Sequence, residues 1–224
     1  MGRSRNAKQY AVLGLGKFGM SVARELAAAG DDVLAVDYDE EKAAEAKDFC
    51  TYAVKADVCD VGTLVSLGIS NMDGVVVAIT GNYNASIIAT ITAKEQGVPY
   101  ILSKASDPVH AKILEKVGAD RVIVPEKESG VRVARALSSG RVLDFIELSD
   151  RIRLIELSPR PDWVGSTLRE LDLRRRESIN VVALRMENEE LTVSPDPDMP
   201  LTEKCTMIIT VDREDIGKLV GDGM

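Results

Sequence analysis

In the first part of the chain, short unbroken apolar runs alternate with stretches of helical period, and a glycine, proline or aspartate marks almost every switch between them. Tyr10 to Leu15 is such a run; glycines follow it, then an Ala-rich helical stretch from Ser21 to Ala29 that stops at Gly30. Val33 to Val36 predicts a second strand, Asp39 the cap of a helix reaching Phe49, and Tyr52 to Lys55 a third strand. The alternation goes on with a helix over Asp60 to Leu67 ended by Gly68, a strand over Val75 to Ile79, a helix over Asn84 to Gln96 ended by Gly97, and a strand over Tyr100 to Ser103. Asp107 to Val117 predicts a helix, Arg121 to Val124 a sixth strand, and Pro125 the start of a long helix from Glu126 to about Leu137. Apolar strands joined through helices by short loops imply a parallel sheet covered on both faces, so the expected fold class is α/β with a doubly wound parallel sheet.

After Ser138-Ser139-Gly140 the texture changes. Val142 to Leu148 and Arg151 to Leu157 read as strands, Pro159-Arg160-Pro161 breaks the chain, and Thr167 to Leu171 is helical. Ile179 to Met186 and Glu189 to Val193 predict a hairpin around Glu187-Asn188, and Thr206 to Val211 a strand before a last helix from Arg213. This is a small C-terminal α+β lobe, and the expected domains are 1–140 and 141–224, the second including its connecting segment.

Composition narrows the class. A hydrophobic fraction of 45% and a charged fraction of 29% are those of a globular protein. No apolar run approaches the roughly 18 residues needed to span a bilayer, so the chain is not expected to be a membrane pore itself. The basic start Met1-Gly2-Arg3-Ser4-Arg5 leads straight into a strand pattern without the apolar segment of an export signal, which predicts a cytoplasmic location. Cys50, Cys59 and Cys205 are odd in number and lack metal or redox spacing, as reduced cytoplasmic thiols would be. A net charge of -8 argues against a nucleic-acid partner, because phosphate neutralisation needs clustered Lys and Arg.

The chemistry sits at the first turn. Gly14-Leu15-Gly16-Lys17-Phe18-Gly19 is a GxGxxG that follows a strand and opens a helix, the context in which the pattern carries meaning. Gly14 permits the tight turn, Gly16 lets the backbone approach a pyrophosphate, Gly19 lets helix and strand pack closely, and the helix N-terminus donates N–H groups to phosphate. Asp37 ends the second strand, where a carboxylate accepts both ribose hydroxyls and repels a 2′-phosphate. The lobe is therefore expected to be Rossmann-like and to bind a nucleotide.

The run Tyr10 to Gly19, Val36-Asp37, Ala56-Asp57, Ala78-Ile79 with Gly81 and Asn84-Ala85-Ser86, Ser103-Lys104-Ala105, Gly118-Ala119-Asp120-Arg121 and Pro125-Glu126-Lys127 resembles, in that order, the RCK (KTN) domain. Residues 145 to 224 resemble the accompanying RCK_C (TrkA-C) lobe, and the single copy of each lobe is similar to KtrA-type members more than to tandem TrkA. The resemblance implies a cytosolic regulatory subunit of a potassium uptake system, binding ATP or ADP, with NAD(H) the alternative. Homodimers would assemble into an octameric ring on a KtrB-type membrane potassium translocator, holding the subunit peripherally at the inner face of the membrane. It puts the phosphate loop on Gly14, Gly16, Lys17, Phe18 and Gly19, the ribose carboxylate on Asp37, and adenine contacts near Asp57 and Val58, with Ile79, Asn84 and Lys104 in the following nucleotide segments. Lys17 stands where KtrA-like members usually carry Arg, exchanging a bidentate fork for a point charge. It also implies a divalent cation at Glu126, and cyclic di-AMP in the C-terminal lobe on Leu168, Arg174, Val181 and Pro195.

A dehydrogenase would share the glycine fingerprint, but after Gly140 the chain holds no histidine and no Ser-Tyr-Lys or Cys-based constellation to place a substrate, so an enzyme is not expected. A regulator of another cation transporter is the nearer alternative. His110, the sole histidine, is expected on the surface among polar neighbours, and Trp163 as a packing anchor of the small lobe.

Overall fold

A computed structural model describes residues 7–139, 142–187 and 190–216. The chain runs β1 (Gln9–Leu13), α1 (Lys17–Ala28), β2 (Asp32–Asp37), α2 (Glu40–Ala46), β3 (Tyr52–Lys55), α3 (Val61–Ser66), β4 (Gly74–Val77), α4 (Tyr83–Glu95), β5 (Ile101–Lys104), α5 (Pro108–Lys116), β6 (Arg121–Ile123) and α6 (Pro125–Ser139). The six strands form one sheet in the order β3-β2-β1-β4-β5-β6, with every pairing parallel. This is the doubly wound order in which strands are added outward on both sides of the β1–β4 pair. The central strands are apolar because both faces are covered: Ala11, Val12 and Leu13, like Val75 and Val77, have no exposed surface, whereas the edge strands β3 and β6 are only partly buried.

Local chemistry starts these helices. Asp39, Asp60, Asn82 and Asp107 each cap one, accepting from the backbone N–H of Glu41, Gly62, Ala85 and Val109 respectively. Helix α1 has no such cap and begins at Lys17 and not at Ser21: the glycine pattern reads as turn, yet its last three residues already have helical backbone behind Gly16.

The second part contains β7 (Val142–Glu147), β8 (Ile152–Leu157), the one-turn helices α7 (Leu168–Leu171) and α8 (Leu173–Arg176), β9 (Asn180–Arg185), β10 (Leu191–Val193) and β11 (Thr206–Asp212). Its sheet is antiparallel, in the order β10-β9-β11-β8-β7, with a bulge between Ile208 and Ile209. One face is packed: Met207, Ile209 and Val211 on β11 alternate with half-exposed neighbours, and they meet Trp163, Leu173, Ile179 and Leu201. Thr167 and Glu170 close a reciprocal capping box on α7. Trp163 is 2% exposed with the Arg160 guanidinium 4.2 Å from its ring centroid, the anchor expected from sequence. Only a short 3-10 turn, Arg213–Asp215, begins the expected last helix, and the rest of it lies outside the described residues, as does Asn188 of the expected hairpin turn.

By its internal contacts the chain divides into two compact units, Met1–Pro125 and Glu126–Met224. The division groups α6 with the second unit, whereas the sequence reading groups it with the first. Among the described residues no helix is long and apolar enough to cross a membrane.

Candidate functional site

In the order β3-β2-β1-β4-β5-β6 the connections leaving β1 and β4 part toward opposite faces, which opens a crevice at the carboxyl ends of those two strands. A cavity of about 540 Å3 occupies it. Gly14 and Gly16 enter from the turn after β1, Asp37, Tyr38 and Lys42 from the end of β2 and α2, Asp57, Val58 and Cys59 from beyond β3, and Ala78 to Asn82 from the turn between β4 and α4.

The three glycines answer to different demands. Gly14 has φ +95° and donates its N–H to the Val36 carbonyl at 2.8 Å; a side chain there would be strained and would press on the Ala78 backbone at 3.0 Å. Gly19 lies in the first turn of α1, where a Cβ would meet the Gly14 carbonyl oxygen at 1.9 Å. Gly16 differs from both. Its backbone, φ −66° and ψ −178°, suits any residue, and a Cβ would find nothing within 4 Å.

Asp37 is 5% exposed, and both carboxylate oxygens already accept backbone N–H groups: Oδ2 from Leu15 at 2.6 Å and Oδ1 from Asp39 at 2.9 Å. A carboxylate offers roughly four lone-pair positions, so acceptor capacity remains for hydroxyls in the cavity. Lys42 faces it; desolvation pulls this ammonium down, but Asp37 and then Asp39, whose Oδ2 is 3.4 Å away, hold it above its usual value. Asp57 accepts the Cys59 N–H at 2.8 Å and so shapes the segment carrying Val58. Burial, and next the Asp57 carboxylate, push the Cys59 thiol up, so it is not activated as a nucleophile.

Of the residues predicted from sequence, the cavity brings together Gly14, Gly16, Asp37, Asp57, Val58 and Ile79. Gly19 lies beneath Gly14, and Lys17 opens onto a neighbouring groove between α1 and α2. Phe18 is half-buried against the core. Lys104 is 5% exposed and donates to Thr80 Oγ1 at 3.3 Å, behind the cavity wall. Asn82 and Ala85 line the cavity where the sequence pointed to Asn84. Tyr38, Lys42, Cys59, Thr80 and Gly81 were missed; all follow the carboxyl ends of β2, β3 or β4, which is the signal that would have found them. In the second unit Leu168 and Val181 pack on the core, Arg174 is exposed in α8, and Pro195 is half-exposed after β10. Glu126 is exposed in the first turn of α6, where a carboxylate complements the helix dipole. Among the described residues no group of three or more His, Cys, Asp and Glu side chains is arranged to hold a metal ion.

His110 is a correction: it is 1% exposed, not on the surface. Its ring stacks on Tyr83 at 4.1 Å between centroids, its Nδ1 accepts the Ser106 N–H at 3.2 Å, and its Nε2 bonds Ser86 Oγ at 2.8 Å. Nδ1 as acceptor leaves Nε2 carrying the proton of the neutral ring, which donates to Ser86, and a second proton would oppose the Ser106 N–H. Burial pulls His110 below its ordinary 6.5, with Asp107 opposing. The unfolded chain therefore binds more protons below about pH 6.5, and stability falls as pH drops through that window toward the folded value. Thermal denaturation from pH 7.5 to 5.5 should show His110→Gln losing less stability than the native chain; equal losses would remove His110 from the acid response.

A glycine-turn cavity at the switch point of a doubly wound sheet defines a nucleotide-binding module, joined here to a small antiparallel lobe. Residues 10–125 match the TrkA-N domain and residues 152–220 the TrkA-C domain. The chain is 39% identical over 224 residues, 100% of both chains, to Ktr system potassium uptake protein A of Bacillus subtilis (strain 168). It is 38% identical over 208 residues, 93% of this chain and 94% of the relative, to the protein of the same name in Vibrio alginolyticus. The chain belongs to this TrkA/Ktr family, as the sequence resemblance implied. Among solved structures, the GsuK channel bound to NAD superposes with a TM-score of 0.66 at 18% identity, covering 97% of this chain and 40% of the channel chain. GsuK bound to ADP does so with 0.51 at 15% identity, over 61% of this chain and 36% of the other. At such identities the likeness establishes the fold.

Proposed function

We propose that this chain is the cytosolic nucleotide-binding regulatory subunit of a potassium uptake system, acting as homodimers in an octameric ring on a separate KtrB-type membrane translocator, and not an enzyme. The names of its relatives support the transport role, and the absence of a membrane-crossing helix among the described residues suits a subunit acting on a pore made elsewhere.

The nucleotide reading is carried by Gly16. The fold demands a glycine at positions 14 and 19, but nothing in the protein demands one at 16, whose missing side chain only keeps the cavity open. That is the requirement of a pyrophosphate lying on the backbone N–H groups of α1. Asp37 would accept the ribose hydroxyls, and Asp57 and Val58 would meet adenine. ATP and ADP are the favoured pair, because two ligands can switch a ring only by preferring different ring geometries, and a γ-phosphate supplies the difference. NAD(H) is the second reading, favoured by the placement of Lys17 on the neighbouring groove and not in the cavity. The regulatory set is completed by a divalent cation near Glu126 and by cyclic di-AMP in the second unit, where Arg174 would supply the phosphate contact.

The full chain should be titrated calorimetrically with ATP, ADP, NADH and cyclic di-AMP beside Gly16→Val. The variant is expected to melt with the native chain but to lose about tenfold or more in affinity for the adenine nucleotides, a cost above 1.4 kcal/mol. Unchanged affinity would sink the phosphate-loop assignment, and the ranking of the ligands decides between ATP/ADP and NAD(H).

A further inference from the structure

Tyr38 is the first residue beyond Asp37, and it is large, aromatic and 74% exposed, yet it lines the cavity. Strand register explains what it faces. Asp37 pairs with Lys55 on the adjacent parallel strand, so Tyr38 leaves the end of β2 beside the segment that runs from Lys55 through Asp57 to Val58. Val58 is 9% exposed and packed on the core, giving that side of the cavity a fixed apolar surface. Lys42, whose Nζ lies 5.7 Å from the Tyr38 ring centroid, is tied to Asp39 at 3.4 Å, so the tyrosine sits beside a cation that is itself held in place.

We propose that Tyr38 is the base-stacking residue of this site and sets its preference for a purine over a pyrimidine nucleotide, the ring of Tyr38 covering one face of the base while Val58 meets the other side. The inference rests on the nucleotide reading of the cavity. An aromatic ring exposed to this extent gains most from a large flat partner that covers one of its faces, and a purine offers more overlap than a pyrimidine. The phosphate and ribose contacts at Gly16 and Asp37 are the same for every nucleoside diphosphate, so base selection has to come from Tyr38 and the segment after β3. Stacking of a base on an aromatic side chain contributes roughly five- to a hundredfold in affinity.

The test is calorimetric titration of the full chain and of Tyr38→Ala and Tyr38→Phe with ADP and CDP. The native chain and Tyr38→Phe are expected to prefer ADP, and Tyr38→Ala to lose about tenfold for ADP and much less for CDP, so that the preference collapses. If Tyr38→Ala binds ADP as tightly as the native chain does, or loses ADP and CDP by the same factor, Tyr38 does not select the base, while the nucleotide reading stands. If the native chain binds neither nucleotide, the reading of the cavity fails and the selection proposal with it.

Discussion

Gly19→Ala is expected to destabilise the first unit by about 3 kcal/mol, the upper end of what one added methyl costs in a packed interior. The added Cβ would lie 1.9 Å from the Gly14 carbonyl oxygen and 3.0 Å from the Ala78 Cβ. Neither neighbour can yield cheaply. Gly14 is held by its φ of +95° and by its bond to the Val36 carbonyl, and Ala78 is 3% exposed with its own N–H on the Leu13 carbonyl at 2.7 Å. The helix must then lift off the sheet, moving the N–H groups of its first turn away from the cavity. Hydrogen exchange of amides in β1 and β2 reads the first unit directly. A loss smaller than about 0.5 kcal/mol, the range of neutral surface changes, would show that the loop relaxes more freely than its geometry indicates.

Asp37→Ala should produce two losses that can be measured apart. Losing the charged contact to ribose costs about 1.5–3 kcal/mol of binding, a ten- to hundredfold weaker affinity for ADP. The second loss falls on the protein alone: the Leu15 N–H, which Oδ2 accepts at 2.6 Å in a buried setting, is left without its acceptor, for about 1–3 kcal/mol of stability. Urea denaturation without ligand gives the second quantity, and titration under conditions where the variant remains folded gives the first. A variant that is less stable but binds ADP with native affinity would reduce Asp37 to a clamp between β2 and the glycine turn. Native stability with weakened binding would instead mean that water replaces the carboxylate at Leu15.

The parallel sheet was legible because its central strands are buried on both faces and four of its helices begin on Asp or Asn caps, so that local signals and tertiary environment agree. Boundaries slipped where one residue type serves two purposes. Gly19 reads as turn but is helical, because close packing and turn flexibility both ask for glycine. His110 was misplaced for a related reason. Its partners are Tyr83, Ser86 and Ser106, and contacts of that kind are not encoded in a helical period. Of the nucleotide-site residues named from the sequence, Gly14, Gly16, Asp37, Asp57, Val58 and Ile79 line the cavity, whereas Lys17, Phe18, Gly19, Asn84 and Lys104 do not. Tyr38 and Lys42 escaped because a lone aromatic and a lone lysine after a strand carry no pattern, and only the register with β3 makes them wall residues.

Trp163 is the sole tryptophan of the chain, and it is buried in the second unit, while the candidate nucleotide cavity belongs wholly to the first. The Arg160 guanidinium over its indole adds a charge whose movement would alter the emission. The protein thus contains its own optical reporter, placed on the receiving side of any signal between the units. Because Trp163 and the cavity belong to different units, an emission change on adding ADP or ATP would show that the second unit responds to the nucleotide. A difference between the two nucleotides in that signal would put a magnitude on the coupling without a label or a membrane partner.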